Sequence, residues 1–406
     1  MKTNKILDLK YALTQVLYFG SFCALLGYAS VYLLAQHVSN SVIGIVLALT
    51  SVIAVITQPM IASYADNHQE IKLSRIIVIF LIVAIALSIS LFFLGHITML
   101  LLCAFVGIVT CMMTIQPLLN SMAFMFEKHG IAINYGVARG LGSAAYALVS
   151  LTLGYMVEDF GASILPLVYI ILNLLLTIAV YTFVLPKQYE KKDITKEKED
   201  TVVQEDLSFL DFCKRYRMFM LFALGTVLVF FTHTVINNFF IQVITPIGGT
   251  ESQMGIAVFI AAILELPAMS LFNIMREKAG CENLLKISAI AFLIKHVITF
   301  LAPGMMLIYV AQVTQIFAYA IFLPASVYYA NEVIDQCDRI KGQSIVTASV
   351  TASGIIANLA GGFLLDAIGV HSLLFLGVII SVLGAIVIFI STNNKKVQDI
   401  PEHESC

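Results

Sequence analysis

The sequence has no tryptophan and very little charge. Lys, Arg, Asp and Glu together make up 12% of its 406 residues. A soluble domain carries about twice that fraction, so a water-exposed globule is excluded. The formal net charge is −2, which gives no electrostatic footprint for a nucleic-acid partner. The seven cysteines (Cys23, Cys103, Cys111, Cys213, Cys281, Cys337, Cys406) follow no disulfide or metal-ligand spacing. No HExxH and no serine–histidine arrangement lies in the apolar stretches, so nothing points to an enzyme, a metal or an organic cofactor. The first apolar run, near 11–35, is too long for a cleavable signal peptide and has no clear cleavage site.

Hydrophobic residues fill the space that charge leaves. They make up 60% of the chain, and the mean hydropathy is +0.94. A bilayer core takes about 20 apolar residues per helix. Twelve such stretches lie near 11–35, 42–65, 73–94, 97–126, 135–157, 163–185, 216–241, 252–275, 284–302, 304–330, 343–366 and 370–392. The expected fold is therefore an all-α polytopic membrane protein of twelve transmembrane helices in two pseudo-symmetric six-helix bundles. The first bundle is expected over 1–187 and the second over 215–394. A charged cytosolic linker is expected over 188–214 and a cytosolic tail over 395–406.

Positive charge orients the helices. Every Lys and Arg except Arg139 and Lys295 falls at the termini, in the linker or in the even-numbered turns, whereas HVSN, EDFG and TPIGGTES hold none. Both termini are expected in the cytosol, with the chain multi-pass in the cell membrane. A repeat supports two halves. The stretch 117–161 pairs with 324–369: Pro117 with Pro324, Gly154 with Gly361 and Asp159 with Asp366, each 207 positions apart. Parallel halves of this kind mark secondary transporters.

Few ionisable groups remain at membrane depth, where they are costly and functional by default. At about 1.5 Å per residue, Glu265 lies about 16 Å and Lys295 about 13 Å above the cytosolic edge, which permits an ion pair between the eighth and ninth spans. Arg139 opens a run of small residues, Gly140 to Ala145, one turn inside the fifth span. Asn120, His233, Asn237, Asn238, His296, Gln312 and Gln315 are too many polar groups for isolated inter-helix bonds, and they suggest a shared polar cavity. Pro59, Pro117, Pro267 and Pro324 each free a carbonyl and permit a bend.

The segments YGVARGLGSAAYA (135–147), LELPAMSLFNIMREKAGCENLLKISAIAFLIK (264–295) and VAQVTQIF (310–317) resemble the major facilitator superfamily. Within it they resemble the proton-coupled lactose permease and phenylpropionate permease branch. The resemblance implies that Arg139 binds solute, that Glu265 serves recognition and coupling, and that Lys295 replaces an arginine beside the proton site. Tyr146 stands where the sugar permease has a stacking tryptophan. Asn120 replaces an acid of the fourth span. Gln315 and Ala318 replace the tenth-span histidine and glutamate, and His233 and Gln312 replace an aspartate–lysine pair. After the second span only Asp66, Lys72 and Arg75 survive of an acidic-plus-basic gating pattern.

Together these imply proton symport of a small polar or aromatic solute (sugar, nucleoside or organic acid) by alternating access in a monomer. Arg139, Asn120, Tyr146, Asn237, Gln312 and Gln315 would hold the solute. Glu265, Lys295, His233 and His296 would couple the proton, and Asp66, Pro59 and Pro267 would serve gating. The proton is the coupling ion. The partners are the solute and the lipid bilayer. Two rivals on the same fold are an exporter of amphiphilic compounds and a transport-dead solute sensor.

Overall fold

The computed structural model describes residues 2–3, 5–68, 71–94, 98–127, 131–183 and 209–393. Lys128, most of the expected linker and the tail 395–406 lie outside these residues. Ten helical segments are long and apolar enough to cross a bilayer. Two of them, Glu251–Leu301 and Arg339–Thr392, are twice the needed length, and each turns at a glycine with positive φ: Gly280 at 74° and Gly369 at 76°. Glycine takes this left-handed backbone without a Cβ penalty. Each long segment is thus two helices, and the described residues hold twelve.

The spans are Lys5–Gly27, Asn40–Asn67, Leu73–Ser90, Thr98–Glu127, Tyr135–Phe160, Leu165–Thr182, Arg217–Asn238, 251–279, 281–301, Met305–Val333, 339–368 and 370–392. Large apolar side chains such as Ile82, Ile178 and Ile386 point outward along them, as a lipid-facing surface requires.

The described residues cluster into two compact units. One lies within 2–183, 237–263 and 358–366; the other lies within 209–236, 264–357 and 367–393. In the first, the parallel pairing of Lys2–Thr3 with Ile131–Ala132 ties the chain start to the turn before the fifth span. Asp8 Oδ1 accepts from the Asn134 amide at 2.9 Å, and the Asn134 side chain caps the fifth span by accepting from Val137 N. The second unit is built on buried rings, with Phe222, Phe230, Phe292, Phe322 and Tyr329 in stacked, edge and tilted contacts 5.0–6.1 Å apart.

Helical structure runs through Pro59, Pro117, Pro267 and Pro324. The interruptions fall elsewhere. The first span ends in a π-turn at Cys23–Gly27. The seventh breaks at Phe239 (φ −111°, ψ 32°). The tenth tightens to a 3-10 turn at Thr314–Ile316 and resumes after Ala318 (ψ −93°). Broken helices with freed backbone groups mark transporter sites, and two of these breaks adjoin residues singled out by sequence.

Candidate functional site

In the first unit, the fifth span carries Arg139 over the face of Phe19 from the first span, 4.0 Å from ring centre to guanidinium carbon. Its Nη1 donates to Ser143 Oγ, one turn on, at 2.9 Å. Gly142 makes this approach possible, since a Cβ there would meet Phe19 Cδ2 at 2.6 Å. No carboxylate pairs with Arg139 among the described residues. A planar cation stacked on an aromatic ring, with donors to spare, suits a polar or anionic solute.

Tyr146 lies two turns deeper than Arg139. Its hydroxyl occupies the room left by Gly27 at the π-turn, where a Cβ would stand 2.9 Å away. Asn120 is half-buried in the fourth span and its amide bonds to no described residue. Asn237 is exposed at the end of the seventh span. Asp66 is exposed at the end of the second span and forms no ion pair with Lys72 or Arg75.

The second unit holds the deep charges. Lys295 is fully buried, and its Nζ donates to Gln315 Oε1 at 2.6 Å. Gln315 Nε2 donates in turn to Glu265 Oε1 at 2.9 Å. The amide orientation is fixed by chemistry, because an ammonium can only donate and must face the carbonyl oxygen. The amine and the carboxylate expected to pair are therefore joined through Gln315, a residue the sequence reading gave to the solute. Gln315 reaches both because it sits on the 3-10 turn of the tenth span. Glu265 is half-buried, so the relay has a dry end at Lys295 and a more accessible end at the carboxylate.

His233 stacks on Tyr319 with ring centres 5.4 Å apart and meets Phe292 edge-on at 5.1 Å. His296 Nδ1 lies 2.7 Å from Ser381 Oγ, while its buried Nε2 has no partner among the described residues. Ser381 bonds in turn to Thr232 and Gly377. Gln312 is buried one turn before Gln315. Pro267 is exposed two residues after Glu265.

The first unit also contains two seams that sequence reading missed, both at the ends of spans free of Lys and Arg. In one, Gly44 of the second span crosses Gly362 of the eleventh; a Cβ on either would run into backbone oxygen, of Asn358 or Asn40. In the other, Gly154 of the fifth span crosses Gly255 of the eighth; their added Cβ atoms would lie 2.6 Å from Glu251 O and 2.5 Å from Ser150 O. Each seam ends in a carboxylate. Asp366 accepts from Ser41 N at 2.7 Å, Ser41 Oγ at 2.5 Å and Asn40 Nδ2 at 2.8 Å. Glu158 accepts from Ser252 N at 3.1 Å.

The motifs recur. NSVIG (40–44) matches ESQMG (251–255), and GYMVEDFG (154–161) matches GFLLDAIG (362–369). The second match runs 208 positions apart, so the structure pairs Gly154 with Gly362 and Glu158 with Asp366, one step from the 207-residue register that the sequence suggested.

Twelve membrane helices in repeated halves, with a polar relay at a broken helix, define a polytopic solute transporter. The chain belongs to the MFS_1 like family, whose match runs over residues 9–376. It is 23% identical to the maltose permease of Geobacillus stearothermophilus over 390 residues, 95% of each chain. It is also 23% identical over 359 residues to the uncharacterized transporter YwbF of Bacillus subtilis (strain 168), 86% of this chain and 84% of that one. Among solved structures, the nucleoside transporter NupG superposes with a TM-score of 0.77 at 15% identity, covering 96% of this chain and all of that one. A D-xylose-proton symporter superposes with a TM-score of 0.65 at 14% identity, covering 94% and 96%. These likenesses place the fold in the major facilitator superfamily.

Proposed function

We propose that the protein is a proton symporter of a small polar or aromatic solute (a sugar, nucleoside or organic acid), working by alternating access of two six-helix bundles (1–187 and 215–394). It acts as a monomer in the cell membrane with both termini in the cytosol. The observation that carries this reading is the relay Lys295–Gln315–Glu265, in which a buried ammonium is hydrogen-bonded through an amide to a half-buried carboxylate. Glu265 takes up and releases the proton, and Lys295 holds it ionised between turnovers. His233 and His296, buried within the same aromatic shell, tune that charge.

Arg139, Asn120 and Tyr146 hold the solute, the first through the guanidinium that lies over Phe19. The permease and symporter among the similar proteins support uptake and a sugar-like solute.

The test is uptake into proteoliposomes carrying an imposed proton gradient. Glu265→Gln should abolish accumulation against a solute gradient while leaving solute exchange at zero gradient intact. Accumulation that survives in Glu265→Gln would remove Glu265 from the coupling step.

A further inference from the structure

We infer that Glu158 and Asp366 form a pair of acid-released latches that hold the outer ends of the spans closed. The inference rests on the orientation given above for the word "outer", and on nothing else in that reading.

The two latches share one design. The second span begins at Asn40 and the eighth at Glu251, so Ser41 and Ser252 occupy the second helical position of each. Backbone N–H groups in a helix's first turn have no partner within the helix. Asp366, from the end of the eleventh span, takes the Ser41 N–H, and Glu158, from the end of the fifth, takes the Ser252 N–H. A carboxylate at this place also faces the positive end of the helix dipole. Hydroxyl and amide donors complete each site. Ser41 Oγ and Asn40 Nδ2 serve Asp366, and the hydroxyls of Ser252 and Thr250 bear on Glu158. The facing helix is held in place by Thr250 and Gln253, which cap one another at the start of the eighth span.

Every partner of the two carboxylates is therefore a neutral donor. No Lys, Arg or His pairs with either among the described residues. The titratable neighbours of Glu158 are Asp159 beside it, Glu251 at the start of the facing helix, and Tyr28, whose hydroxyl is engaged by Ser150 O. For Asp366 they are His37 and His371, on the adjoining turns.

This composition makes the latch depend on ionisation. Hydrogen bonds to a charged acceptor are roughly twice as strong as neutral ones. A protonated carboxyl group loses the dipole attraction and leaves the Ser41 and Ser252 N–H groups with a neutral, weaker acceptor. The glycine crossings beneath can close only if the ends meet, so the two carboxylates decide how long the seam stays shut. A proton arriving from outside binds better to the separated ends, where those donors are gone, than to the joined ones. By linkage, acid shifts the population toward the open outer face.

The experiment is a distance measurement by double electron–electron resonance on the full chain in lipid nanodiscs. Spin labels are placed at Phe160→Cys and Thr245→Cys, both exposed, in a background in which the native cysteines are replaced. Between about pH 7.5 and about pH 4.5, which brackets carboxylate titration, the ratio of long to short distances should rise about fivefold or more. In the double variant Glu158→Gln/Asp366→Asn the long distance should already dominate at the higher pH and should not respond to acid. Each single variant should show about half the response. A distribution that ignores pH in the parent overturns the inference, and so does a double variant that keeps the parent's pH response. Both sides of a nanodisc share one pH, so the result stands apart from the transport direction and from the role of Glu265.

Discussion

Lys295 Nζ donates to Gln315 Oε1 at 2.6 Å, and the lysine side chain is fully buried. Removing one partner of a buried charge costs about 3–5 kcal/mol, because the other is left uncompensated. Gln315→Leu should therefore lower thermal stability in detergent and abolish accumulation. Adding Lys295→Met to it should restore stability without restoring accumulation. Recovery of both together would mean that the relay serves only packing. No loss in the single variant would mean that Lys295 is held by something other than the amide.

The charges at membrane depth were legible in the sequence because hydrocarbon tolerates so few. Glu265 and Lys295 stand out against apolar neighbours, and the twelve spans follow from length alone. The link between them was not legible. It depends on a 3-10 turn at Thr314–Ile316 that carries no proline or glycine, so nothing in the local composition announces it. The four prolines lie inside helices that run on past them, so the breaks in helical structure fall at other residues. The seams were written in the chain twice, as NSVIG with ESQMG and as GYMVEDFG with GFLLDAIG. A glycine in a membrane helix reads as generic small-residue packing until its partner is known, and a carboxylate at a span's end reads as a solvated surface group.

Arg139 tests how far geometry matters beyond charge. Its guanidinium carbon lies over the Phe19 ring and the group is hydrogen-bonded to Ser143, an arrangement a lysine cannot reproduce. Arg139→Lys should weaken solute binding by about tenfold or more, whereas Phe19→Leu, which removes only the stack, should cost about 0.5–1 kcal/mol. Binding measured by calorimetry on purified protein separates the two. Equal losses would assign the whole effect to the ring.

A polar cluster in the second unit makes a pH-dependent statement. The Tyr216 hydroxyl, just ahead of the seventh span, donates to Asp335 at 2.9 Å and lies 3.3 Å from Asp338. Burial, and then the Asp335 carboxylate, push its phenol above the ordinary tyrosine range. The folded state thus holds this proton more tightly than the unfolded chain. Its contribution is complete below about pH 10, the unfolded value, and is lost as pH rises further. Tyr216→Phe should cost about 1–2 kcal/mol near neutrality and should flatten the alkaline fall in stability. An unchanged alkaline slope in the variant would assign it to other tyrosines.

The glycine crossings allow a test by steric block. At Gly255 an added Cβ would stand 2.5 Å from Ser150 O and 3.1 Å from the Tyr28 hydroxyl, and the backbone oxygen has no room to retreat. At Gly140 the same addition meets nothing within 4 Å. Gly255→Val should therefore slow or stop turnover while leaving the protein folded and membrane-inserted, because the eighth span can no longer lie against the fifth. Gly140→Ala, a comparable loss of a small residue, should leave transport within about twofold and add slightly to helix stability. Solute binding should persist in Gly255→Val even as transport fails, since the residue lies away from Arg139 and Glu265. If Gly255→Val transports normally, the two helices separate more easily than their backbone contact implies, and closure of that seam is not a step in the cycle.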